Sequence, residues 1–234
     1  NTAGTQSVEL IVNDTVIARK FGVVGDWDGT TGTDQVTALQ ACIDYFGTNY
    51  GTVDIENLRL RADSGRLDFK KVRIIGDGPP DNSVVEASEI YLGTLGGLYT
   101  SIQDNQSPHH KGFKLTSATF RTDTAQIMLD LKGVNYPRLS DIVIFGGGIG
   151  LRVSGGTVVE SHYGAFYNVD ISRCFVGVAI ENGNLTQSHT FFGGRHWDSV
   201  EAYENRAGTS DINFVGCQFE STRAARHITD GTTL

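Results

Sequence analysis

The chain has 234 residues, 29 of them Gly against 4 Pro and 3 Cys, and 27 acidic against 19 basic side chains leave a net charge of −8. This composition excludes a collagen repeat, bulk disorder and a disulfide framework, and the acidic balance disfavours nucleic acid, which is bound by neutralising phosphates with Lys and Arg. A hydrophobic share of 39% supplies the core of one elongated domain or two small ones.

The opening residues, Asn1 to Ser7, show neither the basic nor the apolar run of a leader peptide. No later stretch reaches the roughly 18 to 20 apolar residues of a membrane-spanning helix, so no membrane insertion is expected. Val8 to Val12 and Val16 to Ala18 read as short extended segments, and residues 1–20 as a lead-in. Val36, Leu39, Cys42, Ile43 and Phe46 then recur on one face of a 3.6-residue helix. Thr33 or Asp34 is placed to cap its first turn and Gly47 to end it in a left-handed conformation, which makes 21–51 a cap loop and helix.

From residue 52 to 234 the pattern is short and period-two. Val53/Ile55, Val72/Ile74, Ile90/Leu92, Phe113/Leu115, Ile142/Ile144, Val169/Ile171 and Cys217/Phe219 are each followed by Gly, Asn, Asp or Ser. The first members step along the numbering by 19, 18, 23, 29, 27 and 48, and the last interval leaves room for two more steps. Asp141 to Val153 aligns without a gap on Asn168 to Ile180 at an offset of 27, matching Gly150 to Gly177, Leu151 to Val178 and Val153 to Ile180. At a further offset of 48, Gly216 to Glu220 with Ala225 to Ile228 keeps the alternation, and Thr190 to Tyr203 fits between as an intermediate unit. Such self-similarity predicts an all-β solenoid of stacked parallel coils, with Gly146 to Gly150 as a corner. A sandwich would also supply short strands but calls for more hairpin turns of the kind seen at Asn182-Gly183.

One segment carries a family likeness. Lys20 to Asp44, through Phe21-Gly22, Gly25-Asp26, Thr33-Asp34 and the helix with Ala38, Gln40, Ala41 and Ile43, resembles the entrance to the pectate-lyase-like right-handed parallel β-helix of bacteriophage tailspikes. The loop Trp27 to Gly32 is longer than the family's tight turn, and Val24 replaces a small or polar residue. The resemblance implies a homotrimer in the virion tail, extracellular and beside other tail proteins. It implies binding and hydrolysis of a bacterial surface polysaccharide, capsule or lipopolysaccharide O-antigen. A non-catalytic tail-fibre module that binds glycan or supports a receptor-binding domain is the alternative, and a lyase a third. Because the chain stops at Leu234 soon after a coil, a fragment of a longer spike, or a short one, is expected.

On stacked coils, outward acids of neighbouring rungs lie about 4.8 Å apart, and glycoside hydrolysis uses carboxyl pairs roughly 5 to 9.5 Å apart. The late acids Asp170, Glu181, Asp198, Glu201 and Glu220 are the catalytic candidates, each with ordinary surface solvation as the alternative. Arg173, Arg195, His196, Trp197 and Tyr203 are the substrate-binding candidates, for ion pairing, proton transfer and sugar stacking. Glu160-Ser161-His162-Tyr163 offers an acid, an imidazole and a phenol that lyase chemistry could use, or simply a loop between coils. No cofactor or metal motif is present, and Cys42, Cys174 and Cys217 read as buried thiols. The sequons at Asn13, Asn105 and Asn184 are read as chance occurrences.

Overall fold

A computed structural model describes residues 15–78, 88–103, 109–157, 159–181, 186–205 and 211–220. The segment Val8 to Val12, the Asn182-Gly183 pair, the three sequon asparagines and the Ala225 to Ile228 half-repeat lie outside these residues.

Strand β1 (Thr15–Ile17) and a 3-10 turn (Ala18–Phe21) lead to helix α1 (Val36–Asp44). The coils follow as β2 (Gly51–Asp54), β3 (Arg59–Arg61) and β4 (Arg66–Asp68), then β5 (Val72–Ile75), β6 (Glu89–Tyr91) and β7 (Gly97–Tyr99). Next come β8 (His109–Thr116) with β9 (Ile127–Lys132), β10 (Arg138–Phe145) with β11 (Ile149–Ser154), and β12 (Ser161–His162) with β13 (Ala165–Ser172) and β14 (Val176–Glu181). The last described coils are β15 (Thr186–Gln187), β16 (His189–Phe192), β17 (Arg195–Trp197) and β18 (Glu201–Asn205), then β19 (Ile212–Val215) and β20 (Gln218–Glu220). Every pairing among the described strands is parallel, which rules out the hairpin-built sandwich and makes the fold a right-handed parallel β-helix.

A first sheet stacks β1, β2, β5, β8, β10, β13, β16 and β19, with β3, β6, β17 and β20 alongside, and a second stacks β4, β7, β9, β11, β14 and β18. Inward columns are apolar because each coil repeats the same alternation against the coil below. One column of the first sheet runs Leu60, Ile90, Leu115, Ile144 and Ile171, and one of the second runs Leu67, Leu98, Leu129, Leu151 and Val178, all fully buried. Each such side chain contributes about 2 kcal/mol by leaving water.

The offset of 27 is the observed register: Ile142 opposes Val169, Leu151 opposes Val178 and Val153 opposes Ile180. Earlier in the chain the step from Val72 to Ile90 is not a full coil. Both β5 and β6 pair with the long strand β8, through Ile75 to Lys111 and Ile90 to Leu115, so they are two halves of one rung. The short apolar runs at Val72/Ile74 and Ile90/Leu92 look like successive repeats until β8 spans both.

Helix α1 covers the base of the stack, with Leu39, Cys42 and Ile43 buried in the common core. Its first N–H, that of Val36, donates to the Asp34 carboxylate at 3.3 Å. Thr33 turns instead to Asp26, donating from its hydroxyl at 2.7 Å and its backbone at 2.9 Å, and these bonds hold the Asp26 carboxyl below its ordinary range. Gly47 closes the helix at φ 59°, as expected. The long loop seats Trp27 on Tyr91, ring centroids 4.2 Å apart and nearly parallel. Cys42 and Cys174 are buried, which raises their thiols to about 11 and about 12, and Cys217 is half-buried. No described helix is long and apolar enough to cross a membrane.

Candidate functional site

The first sheet bends along one column. Gly112, Asp141, Asn168, Gly193 and Gly216 occupy equivalent positions on successive coils, and all five have positive φ, between 49° and 74°. Asp and Asn are the non-glycine residues that tolerate this region best, which is why β10 and β13 run through the bend. At Gly193-Gly194 and Gly216 the strand breaks instead into β16/β17 and β19/β20.

In the angle of that bend lies a cleft of about 420 Å³, lined by Asp77, Lys111, Asp141, Val143, Asn168 and Asp170 over glycine backbone. The Asn168 amide donates to the Asp141 carboxylate at 3.1 Å, and among the described residues no cation forms an ion pair with Asp141. Asp170 accepts the Arg195 backbone N–H at 2.7 Å and stands 3.7 Å from its guanidinium. Asp170 directly opposes Val143, two residues beyond Asp141, so the two acids stand diagonally on adjacent rungs.

An aromatic column stands beside the cleft. Lys111, Ser140, Tyr167, Phe192 and Val215 form an outward column immediately before the bend. Tyr167 and Phe192 stack at 5.0 Å and 10° while remaining 45% and 36% exposed. Below Tyr167 stands the small side chain of Ser140, and among the described residues no ring stacks on that side.

The five acids from which a catalytic pair was expected are divided between faces. Asp170 and Glu220 lie on the first sheet, Glu181 and Glu201 on the second, and Asp198 at the corner between them. Glu181 stands 3.5 Å from Arg152, which also binds Asp130. Glu201 is half-buried on β18 opposite Val176, and Glu220 is exposed on β20 opposite Trp197. Asp198 closes a clamp. Its carboxylate pairs with Arg121 and, at 3.3 Å, with Arg173, while its backbone oxygen accepts from Arg121 at 2.7 Å. The loop carrying Arg121 thereby reaches 77 residues along the chain to strap the corner, with Arg173 over the rings of Phe145 and Phe120.

The substrate-binding expectations are corrected at two residues. His196 is 1% exposed because it continues the inward column from Ile171 to Phe219, among Phe191, Phe214 and Phe219. Burial lowers its imidazole to about 4. Tyr203 follows Val178 in the inward column of the second sheet and meets Phe214 edge-on at 5.6 Å, and burial raises its phenol. Arg195 lies over the Trp197 indole at 4.6 Å, so one face of that ring is already covered. Of the ten expected residues only Asp170 lines the cleft. The other cleft residues Asp77, Lys111, Asp141 and Asn168, and the neighbouring Tyr167 and Phe192, were not among the candidates, although the alignment that sets Asp141 on Asn168 is visible in the sequence. Among the described residues no His, Cys, Asp or Glu cluster has the make-up of a metal site.

Comparison with known proteins bears on the fold. No protein-family model matches the chain, and no curated protein matches it. A solved structure of Geobacillus virus E2, ORF18, superposes with a TM-score of 0.66 at 16% identity, covering 88% of this chain and 42% of that one. The A-module of the Azotobacter vinelandii mannuronan C-5 epimerase AlgE4 matches at a TM-score of 0.44 and 16% identity, covering 90% of this chain and 73% of that one. The chain therefore spans less than half of the phage protein it is similar to, and at 16% identity the likeness is one of fold.

Proposed function

We propose that this chain is the glycan-binding coil region of a phage tail protein and takes a bacterial surface polysaccharide across the bend of its first sheet. The observation that carries the reading is the exposed Tyr167–Phe192 stack set beside a polar cleft. Aromatic rings offer a flat apolar surface to a sugar ring, and the Asp141 and Asn168 side chains beside them exchange hydrogen bonds with hydroxyls. The acidic cleft suits neutral sugars better than anionic ones. The likeness to a phage structure supports placement on a virion. Association as a homotrimer beside other tail proteins belongs to the same proposal.

Hydrolysis of the bound glycan is the second reading, and Asp141 and Asp170 favour it. Strand spacing sets the α-carbons of this diagonal about 8 Å apart, comparable to the roughly 6.5 to 9.5 Å between carboxyls of inverting glycosidases. Among the described residues Asp170 has a cation partner and Asp141 has none, so the two carboxylates stand in different surroundings on adjacent rungs.

Capsule and O-antigen polysaccharides separate these readings. Binding that Tyr167→Ala abolishes, with no change in polymer length, supports a binding module. Shortening with new reducing ends, lost in Asp141→Asn, supports hydrolysis, whereas new ultraviolet absorbance from unsaturated ends would replace it with a lyase. A chain that binds none of these polymers removes the proposal.

A further inference from the structure

A second exposed aromatic ladder stands at the opposite end of the same strands. Tyr136 and Tyr163 occupy equivalent positions, at the same offset of 27, where the chain enters β10 and β13. Their rings stack at 5.8 Å and 17°, and they are 46% and 60% exposed. Both residues have positive φ, 54° and 53°, a conformation that bulky side chains rarely adopt and that persists where the surroundings enforce it. Here the enforcement is visible: the Tyr136 N–H donates to the His162 carbonyl at 2.9 Å and the Tyr163 N–H to that of Gln187 at 3.1 Å. Two rings are thus fixed outward, although the core has no use for them.

The next rung of this column holds a small residue. Ser188, one coil after Tyr163, keeps the left-handed turn at φ 57° but has no ring, so among the described residues no ring stacks on the Tyr163 face toward it. One rung is about 4.8 Å high, enough for a single flat ring. At the rim, the His162 imidazole meets Tyr163 edge-on at 5.8 Å, and Glu160, half exposed, stands 3.4 Å from its Nε2.

We propose that the open rung above Tyr163, over Ser188, is a second saccharide subsite that receives one neutral pyranose ring. The ring continues the tyrosine ladder while its hydroxyls donate to Glu160. A neutral sugar is specified because a carboxylate at the rim repels an anionic one and accepts from hydroxyls. The inference rests on the glycan-binding reading above and extends it. Tyr163 and Tyr167 lie four positions apart on one coil, at most about 13 Å along the chain, which puts both platforms within the span of a single short glycan. The polymer then runs across β13 rather than along the stack.

Two substitutions test the subsite from opposite sides. Tyr163→Asn removes the platform and keeps a residue suited to positive φ; Ser188→Tyr fills the rung with the protein's own ring, in a conformation that tyrosine already adopts twice in this column. Both variants are titrated by calorimetry with neutral O-antigen oligosaccharides, with sedimentation run in parallel. Each is expected to weaken binding about tenfold, the effect of one lost aromatic stack, at unchanged oligomeric state and thermal midpoint. Wild-type affinity in both, with binding still lost in Tyr167→Ala, overturns the subsite and leaves the cleft standing. A changed oligomeric state without loss of affinity makes the ladder a contact between copies and also overturns it. No binding by the wild-type chain removes the cleft and the subsite together.

Discussion

The two sheets are built from the same repeat, yet their outward surfaces differ where the first sheet bends. On the second sheet the outward column Asp68, Tyr99, Asp130, Arg152 closes on itself: Arg152 holds the buried Asp130 carboxylate with two hydrogen bonds, and Arg66 reaches it at 3.3 Å while lying over the Tyr99 ring. On the first sheet the bend spreads the columns apart. Asp141 meets only an amide there among the described residues, and Tyr167 and Phe192 stay exposed. A parallel solenoid presents the same slots on every coil. Whether a slot becomes scaffold or surface depends on which side chain lies one rung away, and a charge with its complement there is consumed by the scaffold.

The largest effect should come from the core of the first sheet. Phe191 is sandwiched between Phe166 at 4.5 Å and Phe214 at 5.0 Å, so Phe191→Ala should cost about 4 kcal/mol in a denaturant titration. A cost below that of Val178→Ala would mean that the stacked rings are not the stiffer half. Arg152→Ala should come next, at about 3 kcal/mol, because it leaves a buried carboxylate short of its main partner. Full stability in that variant would show that the closed column is not what binds the second sheet.

Acid should separate the sheets again. His110, His189 and His196 are buried on the first sheet, and burial lowers them to about 3, about 4 and about 4, against an ordinary 6.5. Protonation therefore favours the unfolded chain. Stability should be complete above pH 6.5 and fall as the pH drops through 6.5 toward 4, continuing toward 3 for His110. His196→Phe, which matches its neighbours in the column, should flatten part of that fall; an unchanged profile would exclude His196 as a contributor. The smallest effect on stability is expected at Asp141→Asn, within about 0.5 kcal/mol, since Asn168 already holds the equivalent conformation one coil above. A large loss of stability there would reclassify Asp141 as scaffold.

Much of the fold was legible because parallel stacking turns register into sequence arithmetic. The offset of 27 between Ile142 and Val169 is a direct count of residues per coil, and the step of 48 from Ile171 to Phe219 is two coils, of 25 and 23. The register of the intermediate unit escaped because a histidine fills its inward position. An imidazole next to Arg195 and Trp197 reads as surface chemistry until strand pairing sets it between Ile171 and Phe219. The same cause moved Tyr203 inward. Asp198 was legible as an acid beside an aromatic, but its partner Arg121 comes from a loop three coils below, a distance that no local pattern encodes.

By itself the sequence determined the repeat, the capping helix over Leu39, Cys42 and Ile43, and the inward apolar columns, because each follows from the local alternation of side chains along a strand. Only the tertiary structure decided which polar side chains were left to face outward. That choice is made between rungs: it divided the late acids between two faces, tied Asp198 into a clamp, and drew Asp141 and Asp170 into one cleft beside Tyr167 and Phe192. Stacking energy is local in space and distant in sequence, so the coils could be counted in advance and their partnerships could not.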